Sequence, residues 1–367
     1  MSVFAFGSDF TVGLEEELLL VDAETLQLAP VAGAVLGAME VPSTSAGHEA
    51  YAAQLELRSL PCATTAEAVD ELASLRAKAA TAGATLLGGG LHPTGRFGDA
   101  DLVPATRYER VADEMRGLIR RTPESALHVH VGLPDELTAI RAFNAVRMEL
   151  PLLVGLAASS PWWFGVDSGF ASARYLLTRA YPGRGIPRPL RDLAELEELT
   201  EATLAAAAMP EATFLWSDVR LHPTHGTVEV RELDAQTRLD DVAALAALVR
   251  AIVRDARDRD ATRHEPSETL AWSAFRAARD GAEATLLDGG RLRPLGDVAR
   301  ALVDRVRPSA REAGDEDALD GIERILRDGG GAGRQRRAFV AGGFPAVLRL
   351  LADETAGVAA IRLVDRL

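Results

Sequence analysis

Strand-like alternation of hydrophobic and polar residues dominates the first two thirds of the chain. Residues 11–22, TVGLEEELLLVD, carry apolar side chains on both sides of three consecutive glutamates. Residues 51–60 alternate between polar and apolar positions, with Glu56 on the polar face. We therefore predict two strands, joined by a segment in which residues 47–49 form a loop.

Two later segments with strand periodicity carry histidines and charged residues. Residues 125–135, SALHVHVGLPD, predict a strand with His128 and His130 on one face. Residues 214–234, FLWSDVRLHPTHGTVEVRELD, predict a β-hairpin. Alternation assigns the side chains of its return strand to two faces: Thr227, Glu229, Arg231 and Leu233 on one, and Val228, Val230 and Glu232 on the other.

Helical periodicity is found between these strands and throughout the last third of the chain. Four helices are predicted before residue 239, at about 64–83, 106–120, 135–158 and 189–208. Pro151 is expected to kink or break the third of them. From residue 239 onward nearly everything is predicted to be helical, with breaks near Pro266, 289–294 and 329–333.

The order of these elements favours an α+β fold with an antiparallel or mixed sheet. We predict a single domain over residues 1–367, with a sheet-bearing part at about 1–238 and a helical part at about 239–367. A Rossmann fold is disfavoured, because the glycines at 88–90 lack the G-x-G-x-x-G spacing and are better interpreted as a turn or bulge. The stretch 165–191 is rich in Gly, Pro and Arg, which predicts an ordered surface connection or a lid over a site.

Composition narrows the possible functions. The net charge of -14 argues against a general nucleic-acid or anionic-membrane surface. With Cys62 as the single cysteine, an intrachain disulfide is impossible, and with Lys78 as the single lysine a P-loop is absent and Schiff-base chemistry is disfavoured. The start of the chain does not resemble a signal peptide and no apolar run of about 18 residues occurs, so we expect a cytoplasmic protein that does not enter a membrane.

The glutamates of the first strand are the first candidates for chemistry. Residues two apart in a strand point the same way, so Glu15 and Glu17 can face one cavity while Glu16 faces away. Two anions this close suit Mg²⁺, which takes oxygen ligands and is shared with phosphates. The alternatives are a solvated acidic face on an edge strand, or pairing with arginine. Acids or imidazoles recur on the other strands at Glu56, His130 and Glu229, which favours one shared cluster.

Two further residues extend this candidate site. His128 lies on the same face as His130, and a neutral imidazole is also a metal ligand, although a single such histidine is more often a core residue. Arg231 follows Glu229 by two residues and would present a guanidinium to the same cavity, where it could grip a phosphate. The alternative for Arg231 is a salt bridge to a neighbouring glutamate.

Five segments, taken in order, resemble the glutamate-cysteine ligase type 2 family of carboxylate-amine ligases: TVGLEEELLLVD, GGGLHP, LHVHVGLPD, AASSPWWFGVDSGFASAR and WSDVRLHPTHGTVEVRELD. The resemblance implies a fold similar to the glutamine synthetase catalytic domain. It also implies metal ligands at Glu15, Glu17, Glu49, Glu56, His130 and Glu229. Arg231 then resembles the arginine that contacts ATP phosphate, and Glu229 and Arg231 become the catalytic candidates. Substrate or nucleotide contacts are implied at Arg174, Trp216, Arg220 and His128.

One residue departs from the family pattern. Glu16 is an acid where relatives can carry an apolar residue, which indicates a first strand less buried than the resemblance implies.

The activity implied by the resemblance is ATP-dependent ligation with two or three Mg²⁺ ions. The γ-carboxylate of glutamate would be phosphorylated by ATP, and an amine such as cysteine would then displace phosphate to form an amide. The acceptor has no motif in this sequence, so a ligase of the same class that uses a different amine or carboxylate is one alternative. The others are a phosphotransferase of the guanidino-kinase type, which shares the architecture, and a non-catalytic binding protein on the same scaffold. Homo-oligomers are common among proteins, and the sequence leaves a homo-oligomer open.

Overall fold

A computed structural model describes residues 4–99, 101–259 and 264–357 of the chain. It contains eleven strands within these ranges: β1 Val12–Val21, β2 Ala46–His48, β3 Gln54–Arg58, β4 Thr85–Leu87, β5 Ala126–Gly132, β6 Trp162–Trp163, β7 Val166–Asp167, β8 Val219–His222, β9 Thr227–Asp234, β10 Thr285–Asp288 and β11 Arg291–Pro294. Seven of them form one antiparallel sheet in the order β2-β3-β1-β5-β9-β8, with β4 also paired to β1. The prediction of an α+β fold with an antiparallel sheet is confirmed.

Helices are found where periodicity predicted them, with some additions. The described ranges contain α1 Ala32–Ala38, α2 Thr65–Thr81, α3 Thr106–Met115, α4 Glu136–Ala157, α5 Ala173–Thr178, α6 Leu193–Ala207, α7 Leu239–Arg257, α8 Ser267–Asp280, α9 Leu295–Glu312, α10 Glu316–Leu319, α11 Gly321–Asp328 and α12 Gly330–Thr355. Thr64 caps α2 in a capping box with Glu67. Gly329, in the left-handed region, ends α11 at the predicted break. None of the described helices is long and apolar enough to cross a membrane.

The core lies on the face of the sheet turned away from the candidate site. Alternate residues of β1, starting with Val12 and Leu14, join one large hydrophobic cluster with the buried sides of α2, α4 and α7. Helix α7 contributes ten buried residues to this cluster. Cys62 is buried and belongs to this cluster. The helical part therefore supplies the core on which the sheet rests.

The prediction of a loop at residues 47–49 was wrong. The segment before Glu49 is a short edge strand, because β2 pairs with β3 in antiparallel register. Pro151, which was expected to kink or break α4, does not break it, since the helix continues to Ala157; burial along most of the helix outweighs the lost hydrogen bond. The predicted break at 289–294 is present between α8 and α9, where these residues belong to a two-stranded hairpin, β10–β11, within the otherwise helical part.

A β-bulge alters the predicted alternation of β9. Leu127 of β5 pairs with Leu233, but Val129 pairs with Val230, so β9 contains one extra residue between these positions. Leu233 consequently enters the core together with Val230. Glu232 takes the opposite face, where it meets arginines near the candidate site. The predicted faces of Glu232 and Leu233 were therefore wrong.

Candidate active site

The candidate site is built on the face of the sheet formed by the first halves of β1 and β9 and by β3 and β5. Register sets the neighbours: Glu17 lies opposite Glu56, and Glu15 lies between Arg58 on one side and His128 on the other. Across β5, His130 lies opposite Glu229. Directly opposed side chains start about 5 Å apart, so these charged residues form one contiguous patch.

A cavity of about 400 Å³ lies over this patch. Carboxylates of Glu15, Glu17, Glu49 and Glu56 line it. The predicted substrate and nucleotide contacts also line it: His128, Arg174, Trp216, Arg220 and Arg231. Because these residues come from five separate segments of the chain, only the folded sheet brings them together.

His130 and Glu229 are not among the residues that line this cavity, but both lie close to Glu15, which does line it. His130 Nε2 is 3.6 Å from Glu15 Oε1 and 3.7 Å from Glu229 Oε1. His128 Nδ1 is 3.2 Å from Glu15 Oε2, and its Nε2 is 3.8 Å from Glu17 Oε1. Ligand atoms of Glu15, His128 and Glu229 all lie within 4.8 Å of one another. The arrangement fits a divalent cation, since oxygen and imidazole donors converge on one point.

An unsatisfied buried atom supports this fit. His130 Nδ1 hydrogen-bonds with Thr227 Oγ1 at 3.0 Å, which orients the ring, whereas Nε2 is buried without a hydrogen-bond partner. Buried nitrogens of this kind are normally satisfied. Because Nε2 points between Glu15 and Glu229, a metal ligand role would account for it.

The carboxylates fall into two electrostatic groups. Burial alone would raise the pKa of Glu15 and of Glu229, but the nearby imidazoles of His128 and His130 hold the pKa of Glu15 well below its usual range, and the Arg231 charge does the same for Glu229. Burial and the charge of Glu49 instead raise the pKa of Glu17 to about 8. Burial likewise raises the pKa of Glu49 and, together with its acidic neighbours, that of Glu56. Three crowded carboxylates thus lack enough compensating charge.

The pKa values of the two histidines are also shifted in opposite directions. Burial lowers the pKa of His128 to about 4, with a further contribution from the charge of Arg231. For His130, burial is outweighed by Glu229 and Glu15, so that its pKa is raised. His128 is therefore the neutral imidazole of the pair, and a cation at His130 would have to displace a proton.

Arginines of the site are held by acids on β9. Arg220 and Arg231 both pair with Glu229, whose side chain is fully buried. Arg174 NH1 lies 3.6 Å from Asp234 and 3.9 Å from Glu232. The salt bridge that we considered as an alternative for Arg231 is thus present, yet Nε of Arg231 and Nε of Arg174 are buried without a partner. These guanidinium groups keep N–H donors for a ligand.

Glu16 has a structural partner. It lies on the opposite face of β1, where Arg76 of α2 donates two hydrogen bonds to its carboxylate, at 2.8 and 2.6 Å. Both side chains are almost completely buried. The expectation that Glu16 makes the first strand less buried was wrong, because Arg76 neutralises the charge inside the protein.

One part of the cavity wall is apolar. Tyr51, Val111, Ile119 and Tyr181 line the cavity and belong to a small hydrophobic cluster separate from the main core. The Tyr51 hydroxyl donates to the Ile119 carbonyl at 2.9 Å, which ties the wall together. Part of the segment 165–191 belongs to this enclosure, since Arg174, Tyr181 and Arg184 all line the cavity.

Several cavity residues were missed by the sequence analysis. Arg184 lies in the Gly- and Arg-rich stretch, which was singled out only as a whole. Arg58 follows Glu56 by two residues, the same spacing that drew attention to Arg231, and this signal could have identified it. Glu124 forms an isolated β-bridge with Leu91, and Arg107 lies in α3; neither belongs to a motif, and their positions depend on the tertiary structure alone.

Comparison with known proteins identifies the family. The sequence model of the family described as glutamate-cysteine ligase family 2 matches residues 11–350. The chain belongs to this family. A protein of Rubrobacter xylanophilus named "Putative glutamate--cysteine ligase 2-1" is 36% identical over 358 residues, which cover 95% of each chain. A Herpetosiphon aurantiacus protein named "Putative glutamate--cysteine ligase 2" is 32% identical and covers 94% of this chain and 93% of its own.

Solved structures show that the fold is that of glutamate-cysteine ligases. A glutamate-cysteine ligase from Francisella tularensis, crystallised in complex with AMP, matches with a TM-score of 0.70 at 15% identity and covers 96% of this chain and 90% of its own. A bifunctional glutathione synthetase from Pasteurella multocida matches with a TM-score of 0.65 at 14% identity, covering 95% of this chain and 52% of its own. The family assignment and the fold class predicted from the five sequence segments are thus confirmed.

Proposed function

We propose that this member of glutamate-cysteine ligase family 2 is an ATP-dependent carboxylate-amine ligase that joins the γ-carboxylate of glutamate to an amine, with cysteine as the first acceptor to test. The observation that carries the proposal is the shared cavity. Four carboxylates and the Arg220–Arg231 pair line the same space of about 400 Å³. Anionic phosphates need both metal ions and fixed cations, and this cavity offers groups for both.

Mg²⁺ would be held by Glu15, Glu17, Glu49, Glu56, His130 and Glu229. When bound, it would neutralise the charge of the triphosphate and of the transferring phosphoryl group. The raised pKa values of Glu17 and Glu56 support this assignment, since crowded carboxylates are more stable beside a cation than beside one another.

The chain's own side chains would position and enclose the reactants. Arg220 and Arg231 share Glu229, which fixes both guanidinium groups before a phosphate arrives. Trp216 and His128 line the same space and would contact the nucleotide or substrate. The apolar wall of Tyr51, Val111 and Tyr181 would keep water from the acyl phosphate. Glutamate activation then produces ADP, and the amine displaces phosphate.

The proposal is tested by incubating the purified protein with ATP, Mg²⁺, glutamate and a panel of amines, while ADP is measured and products are identified by mass. ADP release that depends on cysteine, with a γ-glutamylcysteine mass, is the expected result. Amide formation with another amine would keep the ligase class and change the acceptor.

Two other results would contradict the ligase proposal. A phosphorylated product without an amide would indicate a guanidino-kinase-like phosphotransferase. Absence of ADP with every amine, from protein that is folded by circular dichroism, would indicate a non-catalytic protein.

A further inference from the structure

The sheet carries the same charged pair twice on its site face. Glu229 and Arg231 on β9 are two residues apart and form an ion pair. Glu56 and Arg58 on β3 have the same spacing and also form an ion pair. Strands β3 and β9 flank the central strands β1 and β5 from opposite sides. The cavity is therefore bordered on both sides by a glutamate followed by an arginine.

Strand register places Arg58 next to the residues proposed to bind metal ions. It lies directly opposite Glu15, which in turn lies opposite His128. Strands β3 and β9 are separated by three strand spacings, or about 14 Å. Arginines on these two strands can therefore reach towards one ligand that lies above β1 and β5.

Arg58 is held in place and keeps free donors. Its Nε donates to the Thr44 carbonyl at 3.1 Å, and NH2 donates to the Ser43 carbonyl at 2.6 Å. NH1 contacts Glu56. A guanidinium has five N–H groups, so two remain for a ligand. The side chain is 24% exposed and lines the cavity.

Gly47 leaves the space that this guanidinium occupies. On β2 it is paired with Glu56, and a Cβ at position 47 would lie 2.9 Å from NH2 of Arg58. A side chain at this position would push the guanidinium away from Glu56 and from the cavity. The glycine on the edge strand thus makes room for the Arg58 guanidinium. A surface ion pair, which contributes little to stability, would not need such a space.

We propose that Arg58 is a further phosphate-binding residue of this site, which contacts the terminal phosphates of the nucleotide from the β3 side while Arg231 contacts them from the β9 side. The inference rests on the proposed function, because it requires a nucleotide in the cavity. Among the described residues that line the cavity, Arg58 is the arginine supplied by the β1–β3 side, where four carboxylates crowd together. A polyphosphate there would meet repulsion unless a fixed cation joined the metal ions.

The test compares two nucleotides that differ in their phosphates. Calorimetry at saturating Mg²⁺ measures the affinity of the wild-type protein and of Arg58→Gln for AMP and for the non-hydrolysable ATP analogue adenylyl imidodiphosphate. Loss of a hydrogen bond to a charged group predicts at least about tenfold weaker binding of the analogue, with AMP affinity unchanged within about twofold. Arg231→Gln shows how much affinity for the analogue is lost when a phosphate-binding arginine is removed. Arg58→Lys keeps the charge without the planar guanidinium, so its affinity should lie between those of the wild type and Arg58→Gln.

Matched controls separate this role from a structural one. Arg300→Gln breaks an exposed arginine–glutamate pair far from the cavity and should leave both affinities unchanged. Arg58 could also act only by neutralising the charge of Glu56. In that case, adding Arg58→Gln to a Glu56→Gln variant would not change the affinity for the ATP analogue, whereas direct phosphate contact predicts a further loss of affinity.

Two results would overturn the inference in distinguishable ways. Equal affinity of wild type and Arg58→Gln for the analogue, or equal losses for AMP and the analogue, would remove Arg58 from phosphate binding and leave the proposed function intact. Failure of the folded wild-type protein to bind either nucleotide would overturn the proposed function and this inference together.

Discussion

At the scale of single residues, neighbouring glutamates of β1 have opposite roles. Glu17 faces the cavity without a full counter-charge, and burial with Glu49 raises its pKa to about 8. Glu16 faces α2 and is neutralised by Arg76. The physical cause is the two-residue period of a strand, which sends adjacent side chains to opposite sides of the sheet.

Glu17→Gln should abolish turnover while leaving the fold intact. Glutamine keeps the shape but cannot supply a carboxylate to a cation, so the MgATP-dependent rate should fall by about 100-fold or more. Circular dichroism should be unchanged, and thermal stability should be equal or higher, because the substitution removes a buried carboxyl that is costly to ionise beside Glu49. Wild-type turnover in this variant would exclude Glu17 from the metal site.

The crowded acids also predict how stability depends on pH. The carboxyls of Glu17, Glu49 and Glu56 have raised pKa values in the folded protein, so they remain protonated at pH values where the unfolded chain has lost those protons. Folding therefore takes up protons, and the stability of the metal-free protein should fall as pH rises from about 4.5 to 8.

Thermal unfolding in a chelator between pH 6 and 8.5 measures this effect. The unfolding temperature should decrease with pH, the decrease should be smaller in Glu17→Gln, and Mg²⁺ should stabilise more at pH 8 than at pH 6. An unfolding temperature that stays constant or rises over this range would show that nearby positive charges compensate the three carboxylates in the folded protein.

At the scale of elements, strand register decides which charges meet. Alternation correctly separated Glu16 from Glu15 and Glu17, and placed His128 and His130 together, because both strands are regular over these residues. It failed after Arg231, where the bulge in β9 moves Glu232 to the other face. A bulge depends on how the partner strand is aligned, and the periodicity of one segment does not contain this information.

Glu16→Gln should destabilise the protein without changing the site. It leaves the Arg76 guanidinium buried without its carboxylate, which typically costs about 3–5 kcal/mol. Denaturant unfolding measures the loss, and Glu24→Gln on the exposed surface is the matched control. Turnover per folded molecule should equal that of the wild type. A stability close to wild type would show that the backbone carbonyls around Arg76 satisfy it without Glu16.

At the scale of the whole molecule, the sheet depends on the helical part. Arg250 of α7 donates to the Phe10 carbonyl just before β1 at 2.8 Å, and it pairs with Asp315 at 2.8 Å, while Asp315 also accepts from the Thr65 amide at the start of α2. These buried bonds join the two parts that flank residue 239. The main hydrophobic cluster also draws residues from both parts, and one domain over the whole chain stays a prediction.

Unfolding of the whole chain should accordingly be a single transition. In Trp272→Phe the remaining tryptophans at 162, 163 and 216 lie in the sheet-bearing part, and Trp162 also packs against Phe339 and Phe344 of α12, whereas far-UV circular dichroism reports mainly on the helices. We expect the two signals to change at the same denaturant concentration, and residues 1–238 expressed alone to lack cooperative unfolding. Two separated transitions would indicate two domains.

The sequence by itself determined the family, the α+β class and the residue types that face the cavity, because strand alternation and short ordered motifs are local properties of the chain. Tertiary structure alone decided that these residues meet in one cavity, that Glu16 is neutralised by Arg76, and that Arg58, Glu124 and Arg184 join the site. Such contacts depend on register, on a bulge and on the packing of distant segments. These features follow from burying the whole core at once, and no single stretch of sequence encodes them.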